Sequence, residues 1–257
     1  MAQTGEFDSA VPYWLAALDV FETGETLPCR AMPSNELQED WRMAIMWGRS
    51  LVSLAEEIIS KGDEAKSGFL GGEPNWPPNS IFTTIISSRP PTTRRMHLSN
   101  ASANDLLVLA MDQFSHGIFH MPRALHQFQA HQSVHMNFAT AFPPLIGESF
   151  SRASELFTIA SDVLGVAEQL DDVAERRCWA SWSDSVFSQM EMEANIDSWR
   201  EPITRARGRC WLIAGTAGIE EIEDALEAGQ CSVLSDEEAQ EARESLSKGT
   251  TTISSNR

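Results

Sequence analysis

Apolar residues recur along this chain at the three-to-four-residue spacing of helices, and hardly anywhere at the two-residue spacing of strands. Trp14, Leu18 and Phe21 share one side of a short helix predicted over Tyr13 to Phe21, with residues 1–12 unpaired before it. The clearest pattern starts at Asn35, where Gln38 three residues on completes a variant of the capping box. Leu37, Trp41, Ala44, Ile45, Gly48, Leu51, Ala55, Ile58 and Ile59 then repeat at helical period, and Lys61 and Gly62 suit its end. Gly48 in mid-helix costs about 1 kcal/mol relative to alanine, so it is expected where another helix comes close.

A second helix is predicted from Asn100 to Met121, with Leu106, Leu107, Ala110, Phe114 and Ile118 as its stripe and Pro122 as its stop. Residues 62–100 between the two hold Gly71-Gly72, Trp76-Pro77-Pro78 and Arg89-Pro90-Pro91, and read as a long connection. Ser80 to Ser88 is the best strand candidate, kept short by its proline-rich flanks.

The C-terminal half is nearly continuous helical pattern. Phe150 to Leu170, Val173 to Met190 and Ile203 to Leu226 each carry a stripe, Gly229 closes the third, and Ser235 with Glu238 caps a last helix bearing Ala239, Ala242 and Leu246. Ala206, Ala214, Ala217, Ala239 and Ala242 are expected at helix contacts. The predicted fold is all-α: antiparallel helical hairpins stacked as a TPR-like helical repeat, although no clean 34-residue period is present. The expected organisation is N-terminal helices with long Pro/Gly-rich loops over 1–146, a TPR-like array over 147–248 and a disordered polar tail over 249–257.

Charge narrows the range of partners. The chain has 257 residues and a formal charge of −18. Between Glu148 and Lys248 there are 22 acidic against 9 basic residues, so −13 of that charge sits in the C-terminal half. Such a field repels nucleic acid and anionic lipid and suits basic proteins. Cys29, Cys178, Cys210 and Cys231 form no C-x-x-C pair, which fits free thiols in a reducing compartment, nuclear or cytoplasmic. The longest apolar run, Leu106 to Met111, is too short to cross a bilayer.

Each candidate for chemistry has a plainer reading. Asp112, His116 and His120 share a helical face and could offer two imidazoles and a carboxylate to a metal. Three ligands on one straight helix converge poorly, so the face reads first as satisfied or solvent-facing histidines. Asp171-Asp172 with Glu175 resembles the aspartate-rich motif of terpenoid synthases, but carboxylates also suit the helix start predicted there. No G-x-S-x-G elbow occurs, and Gly68-Phe-Leu-Gly-Gly72 lacks the Lys-Ser/Thr of a phosphate loop. Arg200, Arg205, Arg207 and Arg209 cluster near a helix start, against the dipole. They imply pairing with neighbouring carboxylates or, as the sharper alternative, docking of an acidic peptide. Trp76 among prolines is a candidate partner contact or a pin for its own loop.

Three segments carry a resemblance: Asp40-Trp-Arg-Met-Ala-Ile-Met-Trp-Gly-Arg49, Met111-Asp-Gln-Phe-Ser-His-Gly-Ile-Phe-His-Met-Pro122 and Ala206-Arg-Gly-Arg-Cys-Trp-Leu-Ile-Ala-Gly215, which runs on to an acidic helix over Glu220–Glu227. Over residues 35–248 the chain resembles the fungal enhancer-of-translation-termination family, helical-repeat nuclear adaptors of a prolyl hydroxylase. Where family members open with a Lys-rich segment, this chain reads Met-Ala-Gln-Thr-Gly-Glu-Phe-Asp, with Arg94-Arg95 as a short basic pair further on. The resemblance implies a non-enzymatic adaptor without a cofactor. It would bind a 2-oxoglutarate-dependent dioxygenase or a basic ribosomal or import protein, and would influence translation termination and hypoxic gene regulation. Trp76, Arg205, Arg209, Glu220 and Glu221 are the expected partner contacts. The alternatives are a metal-dependent all-α enzyme and an architectural subunit of a larger complex.

Overall fold

A computed structural model describes residues 11–26, 41–61, 80, 83–84, 101–123, 150–193, 197–229 and 237–254. Among these the fold is all-α. The helices are α1 (Val11–Thr26), α2 (Trp41–Lys61), α3 (Ala103–His120), α4 (Arg152–Ala167), α5 (Val173–Met190), α6 (Arg200–Glu227) and α7 (Glu237–Ser254), with a 3-10 turn at Asp197–Trp199. They divide into two compact units, residues 1–120 and 121–257.

In the first unit α2 is the centre, with both α1 and α3 packed on it. The expected face is buried at Trp41, Ala44, Ile45, Leu51 and Ala55, while Ile58 and Ile59 are only half-buried. Trp47, Val52 and Leu54 are buried as well. A single stripe underestimates this helix because two neighbours cover it from two sides. Gly48 meets the expectation of close approach: a Cβ there would lie 2.5 Å from the Phe114 ring of α3. Gly117 of α3 faces Ile45 in the same way, so α2 and α3 run antiparallel. At the start of α3, Ser102 and Asp105 form a reciprocal cap. The Asp105 N–H donates to Ser102 Oγ at 3.1 Å and the Ser102 N–H donates to Asp105 Oδ2 at 2.8 Å.

In the second unit each helix packs antiparallel on the one before it. Local chemistry sets the ends. Ser151 caps α4 by accepting from the Ser154 N–H, and Asp172 caps α5 by accepting from the Glu175 N–H. Gly229, at φ +82°, takes the left-handed conformation that closes α6. Arg152, 9% exposed, anchors the first hairpin. It donates to Glu193 beyond α5 at 2.8 Å and to the Met121 carbonyl at 2.8 Å, which satisfies a charge that burial would otherwise penalise. Phe157 and Phe187 pack across the same hairpin.

α6 is held differently. Its buried positions are mostly small: Ala206, Gly208, Cys210, Gly215, Ala217 and Gly218 beside Ile203. α7 lies against this surface so closely that a Cβ at Gly218 would stand 2.8 Å from the Ala242 Cβ. A Cβ at Gly249 of α7 would likewise stand 2.7 Å from Leu212. α5 and α7 both pack on α6, and among the described residues no comparable interface joins α5 to α7 or α4 to α7.

Three expectations are corrected. The tail expected from residue 249 is helical through Ser254, because Gly249 seats the end of α7 on α6. The first helix begins at Val11, inside the segment expected to be unpaired, because Val11 is buried. Of the strand candidate, residues 80, 83 and 84 form a helical turn, with the Thr83 N–H donating to Ser80 Oγ. The caps expected at Asn35 and Ser235, and Trp76, lie outside the described residues.

Two pairs of outcomes test this packing. Gly48→Ala should lower stability by about 1–3 kcal/mol from overpacking against buried Phe114, despite a better helix former. Gly165→Ala, with nothing within 4 Å of the added Cβ, should raise it by roughly 0.5–1 kcal/mol; urea unfolding compares the two. Ser183 is fully buried on α5 and its hydroxyl has no hydrogen-bond partner among the described residues. Ser183→Ala should therefore stabilise by about 1 kcal/mol, read as a higher melting temperature.

Candidate functional site

The site is a groove of about 580 Å³ in the second unit, between α5 and α7, with α6 as its floor. It exists because α5 and α7 lean on α6 but not on each other. Arg177, Ser181 and Asp184, at helical spacing, line the α5 wall. Glu241, Ser245 and Lys248 line the α7 wall. The floor is Cys210, Trp211, Ala214 and Gly218. Small floor residues make the groove deep enough to admit a side chain.

Ion pairs hold most of its charged side chains. Arg177 donates to Glu221 at 2.6 Å, and its neighbour Arg176 donates to Glu220 at 2.6 Å, so two adjacent arginines tie α5 to α6. Arg207 donates to Asp184 at 2.8 Å and to Glu191 at 2.8 Å, and lies 5.0 Å over the Trp211 ring. Burial pulls the Arg207 pKa down, but the hydrogen bonds and charges of Asp184 and Glu191 outweigh it and leave it raised. Lys248 sits 3.9 Å from Glu244, an exposed pair of little strength. Glu241 is exposed and has no ion-pair partner among the described residues.

The expected site residues are dispersed. Glu220 and Glu221 are engaged by Arg176 and Arg177 at the edge of the groove. Arg209 is bound by both carboxylate oxygens of Glu168, and Arg205 by Glu201 one turn away. Arg200 pairs with Asp197. The four clustered arginines are thus each paired with a carboxylate, as the plainer reading expects.

Asp112, His116 and His120 lie on the exposed side of α3, with the two imidazole rings 4.8 Å apart. Among the described residues no group of three or more potential ligands is arranged to hold a metal. Asp172 serves as a helix cap, as the plainer reading of Asp171-Asp172 has it. Of the groove residues, Trp211 carries only the expectation of packing in a helix interface, and Ser181, Glu241 and Lys248 carry none. The available signal was the run Glu241, Ser245, Lys248 on the polar face of α7.

The two described cysteines both line the groove but differ in chemistry: Cys178 is exposed and Cys210 buried. Burial first, then the charge of Asp184, pushes the Cys210 thiol up to about 12. Above its ordinary value of 9.0 the unfolded thiol ionises while the folded one keeps its proton. The folded state then binds more protons, so Cys210 makes stability fall as pH rises from about 9 toward 12. The expected slope is up to about 1.4 kcal/mol per pH unit. Urea midpoints at pH 8 and 10 should show that loss in the native chain and a smaller one in Cys210→Ala. Iodoacetamide should modify Cys178 and spare Cys210 until the chain unfolds.

No helix among the described residues is long and apolar enough to cross a membrane. Comparison with protein-family models, curated proteins and solved structures finds no match for this chain.

Proposed function

We propose that this chain is a helical-repeat adaptor, TPR-like in its second unit, that binds a protein partner along the groove between α5 and α7. The groove itself carries the reading: a channel of about 580 Å³ with Cys210, Ala214 and Gly218 in its floor, walled by α5 and α7. The antiparallel row from α4 to α7 supports it further. An all-α enzyme of the terpenoid-synthase kind would enclose its carboxylates in a bundle, whereas here the first and last helices of the row stay apart. The carboxylates of this unit work mainly as caps and ion-pair partners.

The partner is a basic protein, as the charge of the C-terminal half favours. The resemblance to translation-termination enhancers narrows it to a 2-oxoglutarate-dependent dioxygenase or a ribosomal or import protein, met in the nucleus or cytoplasm. The adaptor contributes binding surface and needs no cofactor.

Capture of the tagged full chain from its native cell, with the bound proteins identified by mass spectrometry, tests the reading. Recovery of such a protein is expected, and its loss is expected with Ser181→Trp, which fills the groove from an exposed position. Recovery of none of these proteins, or full retention by Ser181→Trp, would sink it.

A further inference from the structure

The antiparallel course of α5, α6 and α7 brings the start of α5, the end of α6 and the start of α7 to one end of the unit. Arg176 meets Glu220 there, and Gly218 meets Ala242. Asp171, Glu223, Asp224, Glu227, Glu237 and Glu241 all gather at this end, all exposed and without an ion-pair partner among the described residues. Arg176 and Arg177 at the start of α5 are already held by Glu220 and Glu221, so these six carboxylates are set against the exposed Arg243 of α7. Glu223, Asp224 and Glu227 also stand in the last turns of α6, where the helix dipole is negative and anions are disfavoured. A cation arriving from outside would relieve that repulsion.

Glu241 joins this acidic end to the groove, because it belongs to both. The α7 wall runs from Glu241 to Lys248, seven residues or about 10 Å of helix. That length accommodates about three residues of extended chain. Cys210, Ala214 and Gly218 give the floor depth and the Trp211 ring takes up part of it, which leaves space for small side chains. At the far end Lys248 repels a cation and thereby sets the direction of the charge.

We propose that the groove between α5 and α7 docks an extended segment of a protein partner, with small side chains over α6 and a lysine or arginine leading out past Glu241 to the acidic end. This rests on the adaptor reading and adds the chemistry and polarity of what is bound. The charge acts at the mouth of the groove, where it selects the partner and speeds encounter. The depth of the floor sets which side chains enter.

Fluorescence anisotropy on the full chain tests it. The probe is a fluorescein-labelled peptide, lysine-lysine-glycine-alanine-serine-alanine, and its counterpart has glutamates in place of the lysines. The basic peptide should bind, more weakly as salt rises, and the acidic one should not. Glu241→Lys should weaken binding roughly tenfold. Asp197→Lys changes the net charge equally, at a site 90% exposed and at the other end of α6, and should weaken it less than about twofold. Ser181→Trp should abolish binding with the helical circular dichroism unchanged.

Equal losses in Glu241→Lys and Asp197→Lys, binding of the acidic peptide, or binding unaffected by Ser181→Trp would each overturn the proposal. If the native-cell partner is still captured by the chain while the basic peptide fails, the inference falls and the adaptor reading stands. If neither binds, both fall.

Discussion

The close approach of α6 and α7 is the constraint on which the second unit depends. Gly215 and Gly218 of α6 and Gly249 of α7 lie where any side chain would collide with Leu246, Ala242 or Leu212. Two helices in such contact gain dispersion from many short backbone contacts instead of a few large apolar side chains. This places α7 on one flank of α6 and leaves the other to α5. The groove follows directly, because both flanking helices are committed to α6 and neither covers it.

The α5 side of α6 uses a different physics. There Arg176, Arg177 and Arg207 reach across to Glu220, Glu221 and Asp184. These pairs are half-buried, so their weaker screening is offset by the cost of desolvating both charges, and they add little net stability. Their main consequence is register: successive arginines on α5 meet successive glutamates on α6. The same pairs remove most internal cations from the acidic end, and this leaves Glu241 and its neighbours for an external partner.

How much of this was legible in the sequence differs between elements. Helix positions, the close contact at Gly48 and the terminator at Gly229 could be read directly, since each depends on spacing or on a residue whose backbone chemistry is local. The full core of α2 could not. Trp47, Val52 and Leu54 are buried because a second helix covers a second face, and a single stripe carries no record of that. The arginine cluster was correctly divided between pairing and docking, but which carboxylate each arginine meets was not readable. Arg209 finds Glu168 across 41 positions of sequence. The groove is not legible because Cys210, Trp211 and Ala214 of its floor read as helix packing positions, and a channel beside them exists only once α5 and α7 have packed on α6.

The all-helical class, the approximate helix ends and the concentration of negative charge in the C-terminal half are all written in the order of residues along the chain. These depend on periodicity, caps and composition, and all three are properties of neighbouring residues. Which carboxylates are used internally, which remain exposed, and that a channel lies between α5 and α7 emerge from the packing of the helices. The physical reason is distance along the chain. Ion pairs and inter-helix contacts join residues tens of positions apart, and their geometry exists only after the helices have packed.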